Sequence, residues 1–150
     1  MKKSFFGSCL IILCISLQGI TLKAQENAIP ETVQTTFNKL FPSATEVDWE
    51  QDGEEYLAGF ENADFSFVEV TIFEDGTWQQ TVTSLSAEEL PTAAQTTIND
   101  EFTVETYYNI SKVETAKETL YLVSFETTTQ SVSLRFDTDG NLIDKEVEDL

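Results

Sequence analysis

Two hydrophobic periods alternate along the chain. Val33, Phe37 and Leu40 recur at helical spacing, and Ala94, Ile98 and Phe102 do so again further on. Pro30 and Pro91 lead these stretches and are expected at the first helical position, where a missing N–H costs nothing and φ is already set. Phe41-Pro42 closes the first helix, because a residue before proline is pushed out of the helical region. Ser86 and Glu89 have capping-box spacing, which predicts a helical turn just before Pro91.

After each helix the period falls to two. Val47 and Trp49 share a face, followed by the inward rows Tyr56, Ala58, Phe60 and Val68, Val70, Ile72. Trp78 and Val82 are expected to face the same way on a fourth strand. The second half offers Tyr108 and Ile110, then Tyr121, Val123, Phe125, then Val132, Leu134, Phe136, and finally Leu142. Asp52-Gly53 and Asp75-Gly76 read as hairpin turns that use glycine's positive φ. The alternation predicts an antiparallel sheet with one face under the helix and the other toward solvent.

The halves are related. Ile29-Pro30 through Asn38 aligns with Leu90-Pro91 through Asn99 at a constant offset of 61 residues, and Phe41 falls on Phe102. Tyr56 to Glu61 then answers Tyr121 to Glu126, and Phe73 with Asp75-Gly76 answers Phe136 with Asp139-Gly140. The expected fold class is α+β, built as two tandem repeats, each a helix plus a four-stranded antiparallel sheet, with the helices packed on one sheet face. The repeats would occupy residues 25–85 and 86–150, together forming one compact domain.

Residues 1–24 read as a signal peptide: Lys2 and Lys3 precede an apolar stretch from Phe5 to Ile20, with cleavage expected after Ala24. A lipoprotein reading fits less well, since few apolar residues precede Cys9 and bulky Leu13 precedes Cys14. Both cysteines lie in this segment, so the mature chain would carry no disulfide. Its removal takes Lys2, Lys3 and Lys23 and no acidic residue. Five of the eight basic residues then face 27 acidic ones, and the formal net charge moves from −19 to −22. Such a surface disfavours nucleic acid and anionic membrane as partners.

The absence of histidine excludes Ser-His-Asp and Cys-His nucleophilic sites and ordinary zinc or copper centres. The six glycines are scattered through turns and form no phosphate loop. Carboxylate pairs for glycoside hydrolysis carry no distinguishing mark among so many acidic residues. Asp137 to Asn141 invites a calcium reading, but an EF-hand aligned on Gly140 would put Arg135 at its first ligand position, so a strand-connecting turn is the better reading. No catalytic, cofactor-binding or metal-ligating residue is assigned.

Ile29-Pro30, Lys39 to Ala44, Val47-Asp48-Trp49-Glu50, Tyr56 to Phe60, Phe73 to Trp78 and Leu90-Pro91 together resemble the PepSY-like, beta-lactamase-inhibitor-like family of exported bacterial proteins. The resemblance implies a tandem α+β fold similar to the beta-lactamase inhibitory protein, a periplasmic or secreted location, and no catalytic residue. The second repeat departs from the pattern at Asn109-Ile110 and at Leu142, where aromatics would be expected. The expected function is a non-catalytic binding or inhibitory module whose open sheet meets an envelope protein or peptide. The residues expected on that surface are Glu46, Asp48, Leu57, Phe67, Glu69, Thr71, Phe73, Gln79, Thr81 and Arg135. The alternative is a small-ligand or calcium-binding protein that uses surface carboxylates.

Overall fold

The structure, a computed structural model, describes residues 28–150. The expected leader and cleavage site, and both cysteines, lie outside the described residues. Helix α1 (Glu31–Leu40) precedes strands β1 (Asp48–Asp52), β2 (Glu55–Glu61), β3 (Phe67–Phe73) and β4 (Trp78–Ser84). A 3-10 turn (Ala87–Glu89) leads into helix α2 (Thr92–Glu101). Strands β5 (Thr106–Thr115), β6 (Thr119–Glu126), β7 (Gln130–Phe136) and β8 (Leu142–Asp149) follow. The strands form one antiparallel sheet in chain order from β1 to β8. The seam between the halves is the β4–β5 ladder, where Val82 pairs with Val113 and Thr81 with Glu114.

Register places both helices on the same side. Val70 is buried under α1 and pairs with Thr81, which pairs with Glu114. Glu114 shares its strand face with Ile110, which is buried under α2. Two separate cores result. The first gathers Val33, Phe37, Tyr56, Phe60, Val70 and Ile72, with Trp49 and Trp78 packed at its margin. The second gathers Ile98, Ile110, Val123, Phe125, Leu134 and Phe136. Between them, on the same side, runs a polar strip of Thr81 and Thr83 against Glu114 and Lys112, with Lys112 and Glu114 paired at 3.0 Å.

Several local contacts recur in both halves. The Gln34 side chain donates to the Ile29 carbonyl at 2.8 Å, and Gln95 donates to the Leu90 carbonyl at 2.8 Å. The turn glycines Gly76 (φ 87) and Gly140 (φ 85) each press against the start of a helix, at Thr32 and at Pro91–Ala94 respectively. Ser86 and Glu89 form the expected capping box, which holds the Glu89 carboxyl below its ordinary pKa.

Some expectations need correction. Pro30 and Pro91 sit at the N-cap, not the first helical position, because their ψ values of 144° and 139° are extended. Leu40 is 42% exposed, and Phe41 instead reaches the core, with its ring 5.2 Å from Phe60. Tyr108 is 60% exposed; a bulge between Tyr107 and Asn109 turns Tyr107 toward Phe125, ring centroids 5.8 Å apart. Val82 faces away from the helices, because a second bulge at Gln79 shifts the β4 register by one. Leu142 is exposed, whereas Trp78 packs on the margin of the first core; the second core takes its marginal aromatics from Phe102 and Tyr121.

Candidate functional site

Because both helices lie on one side, none of the described elements covers the other face of the eight strands. Trp49 faces the core on β1, so Asp48, Glu50 and Asp52 face the open side. On β2 the buried row Tyr56, Ala58, Phe60 leaves Glu55, Leu57, Gly59 and Glu61 open, and on β3 the row Val68, Val70, Ile72 leaves Phe67, Glu69, Thr71 and Phe73. Across the seam, Val82 pairs with Val113 and Val113 with Leu120, an apolar row spanning β4, β5 and β6. Leu122 pairs with Arg135 and Arg135 with Asp144, so the second half of the face is mixed in character.

The structure thus gathers most of the residues anticipated from the sequence. Asp48, Leu57, Phe67, Glu69, Phe73 and Arg135 lie on the open face. Gln79 joins them at the bulge, donating to Glu55 Oε1 at 3.3 Å. Glu46 precedes β1 with a φ of 55°, and lines the same surface depression as Asp48, Glu61 and Phe67. Thr71 faces the open side yet is buried, so it offers no contact area. Thr81 is misplaced: the Gln79 bulge turns it to the helix side, where it is buried and accepts a hydrogen bond from Trp78 Nε1 at 3.1 Å. The sequence reading missed Val82, Val113 and their pairing. Val113 lies three residues beyond Ile110 on β5 and so on the opposite strand face, a parity that could have been extended from Ile110.

Phe67 is the most conspicuous apolar group of this face, 53% exposed on β3. Its ring lies over Gly59 of β2, where a Cβ would meet Phe67 Cζ at 3.0 Å. Glycine here provides the floor on which the aromatic rests.

Among the described residues, no group of three or more His, Cys, Asp or Glu side chains converges to hold a metal ion. Asp137 Oδ1 accepts from the N–H groups of Asp139 (3.0 Å) and Asn141 (2.8 Å), while Oδ2 accepts from Asn141 Nδ2 (2.9 Å). The carboxylate is engaged by its own turn. Tyr108 has its phenol pKa raised, chiefly by a hydrogen bond to Glu126 and then by partial burial. Among the described residues, no helix is long and apolar enough to cross a membrane.

The chain matches the family described as "Putative beta-lactamase-inhibitor-like, PepSY-like" over residues 18–73 and 54–144. It belongs to this family. Among solved structures of similar fold, a BLIP-like protein from Bacteroides fragilis is 28% identical with a TM-score of 0.66, the match covering 79% of this chain and 86% of that one. A DUF2874 family protein from Bacteroides ovatus is 25% identical with a TM-score of 0.67, over 79% and 86%. A protein from Bacteroides eggerthii described as a putative periplasmic protein shares the fold at 20% identity and a TM-score of 0.69, over 79% and 88%. None of the curated proteins compared with the chain matches it.

Proposed function

We propose that this PepSY-like chain is a non-catalytic, exported binding or inhibitory module that meets an envelope protein or peptide through the open face of its sheet. The observation that carries this reading is the eight-stranded face that none of the described elements covers, with Phe67 half-exposed and an apolar row of Val82, Val113 and Leu120 across its centre. Apolar groups inside a polar rim are the anatomy of a protein-binding surface. The BLIP-like name of the Bacteroides fragilis relative and the periplasmic description of the Bacteroides eggerthii one agree with it.

The two units, 25–85 and 86–150, are read as a duplication. The recurring Gln34 and Gln95 contacts and the two turn glycines docked on helix starts support that reading. Export rests on the leader at 1–24. Mass spectrometry of the protein recovered from the envelope should find an N-terminus at Gln25. An intact Met1 terminus on that material would remove this part of the reading.

The binding role is tested by retention of envelope proteins on the immobilised protein, beside a Val82→Glu, Leu122→Glu double variant of unchanged melting temperature. Retention of a specific protein by the parent and at least a tenfold loss with the variant is expected, since a buried charge in an interface centre costs more than 1.4 kcal/mol. An unchanged set of retained proteins would rule the face out.

A further inference from the structure

We infer that the β1–β3 half of the open face is the docking site for a basic, aliphatic polypeptide segment, in which lysine or arginine alternates with leucine-like side chains. This rests on the open-face reading above and specifies the partner's chemistry. Six carboxylates face the open side on these three strands: Asp48, Glu50 and Asp52 on β1, Glu55 and Glu61 on β2, and Glu69 on β3. The three ion pairs among the described residues involve none of them. No lysine or arginine lies on β1, β2, β3 or β4. Among the described residues, Arg135 reaches the open face from β7, beside Asp144.

The carboxylates surround an apolar centre. Leu57 lies on β2 between Glu55 and Gly59, Phe67 covers Gly59, and Phe73 faces the same side at the far end of β3. Strands about 4.8 Å apart, with same-face residues about 7 Å apart along each, keep neighbouring carboxylates within a Debye length of one another at 0.1 M salt. They therefore attract a cationic segment together. An extended peptide laid on the face repeats its same-side residues at this step of about 7 Å, so its leucine-like side chains rest against Leu57 and Phe67. The long lysine or arginine stems, which leave the strand on its other side, bend round to the acidic rim.

The charge alone would draw any polycation, so the test separates charge from apolar fit. Three 12-residue peptides are compared on the isotope-labelled protein by amide chemical-shift mapping and calorimetry: alternating Lys–Leu, Lys–Ser and Glu–Leu. The Lys–Leu peptide is expected to bind at least tenfold more tightly than either control, with shifts centred on Leu57, Gly59, Phe67 and Glu69. Raising NaCl from 50 to 300 mM should weaken it severalfold, and Phe67→Ser should reduce its advantage over Lys–Ser. Glu69→Gln, which leaves the apolar centre intact, should weaken both lysine peptides.

Equal binding of Lys–Leu and Lys–Ser, or no binding by any peptide, overturns the inference. Shifts confined to the open face of β5–β8 overturn it while leaving the broader open-face reading standing. Shifts confined to the helices overturn both. Calcium chloride alone at 1 mM giving the same shift pattern would replace it with a cation site.

Discussion

Asp137 accepts three hydrogen bonds inside the β7–β8 turn, and they hold its carboxyl below the ordinary value of 3.8. The Asn141 side-chain amide is the largest cause, followed by the Asn141 backbone N–H. A carboxyl whose folded pKa is depressed stabilises the protein fully above its unfolded pKa, and loses that contribution as pH falls through the folded one. Asp137→Ala should therefore melt below the parent at pH 7, and the gap should close as pH drops below 3.8. A gap that persists unchanged at pH 2 would mean that the side chain acts by packing or turn propensity rather than as a carboxylate. Asp75, whose carboxylate accepts from Thr77 N–H at 2.8 Å, shifts in the same direction for the same reason. At this scale the sequence was a good guide: Asp-Gly punctuation marked both turns, and Asp137 to Asn141 forms the strand-connecting turn that its residues predicted.

The turn glycines show how an element's requirement can exceed what its motif announces. Gly53 has a φ of 61° and nothing near its missing Cβ, so Gly53→Ala should cost only the left-handed strain of about 1–2 kcal/mol. Gly140 has a φ of 85°, and a Cβ there would meet Ala94 N and Pro91 Cβ, each at 2.8 Å. Gly140→Ala should add an overpacking cost of about 1–3 kcal/mol to the same strain, because backbone atoms of α2 would have to move. Urea denaturation of the two variants checks the order, and equal losses would mean that the docking of this turn on α2 contributes nothing. Both glycines look alike in sequence, since the difference is a tertiary contact. The strands teach the same lesson. Period-two alternation located Tyr56 to Phe60, Val68 to Ile72 and Val132 to Phe136 on the buried face. It failed at Thr81, Val82 and Tyr108, each of which follows or occupies a bulge. One extra residue inverts every later assignment on a strand, and neither Gln79 nor Tyr108 carries a local signal for it.

On the scale of the whole molecule, the element order, a helix and four strands followed by a helix and four strands, was legible in the hydrophobic periods, but the joining of all eight strands into one sheet was not. The β4–β5 ladder depends on Val82 meeting Val113, and nothing in either strand names its partner. The joined sheet brings the strongly acidic first half against a more mixed second half without a shared apolar core, since Thr81, Thr83, Lys112 and Glu114 lie between the two clusters. Charge balance then bears on stability. With 27 acidic residues against eight basic ones, most carboxylates have no cation to pair with, and the three described ion pairs are partly or largely exposed and contribute little. Folding confines this like charge to a compact surface, so self-repulsion opposes it. Raising NaCl from 10 to 300 mM shortens the screening length from about 30 Å to less than 10 Å, which removes much of the repulsion while leaving the buried contacts unaffected. The melting temperature at pH 7 should rise by several degrees over this range, an effect of about 1 kcal/mol or more in a chain of this size. Potassium chloride should do the same, because the cause is screening and not a particular ion. A melting temperature that falls with salt would instead show that the ion pairs at Lys112, Arg135 and Lys145 outweigh the repulsion among the remaining carboxylates.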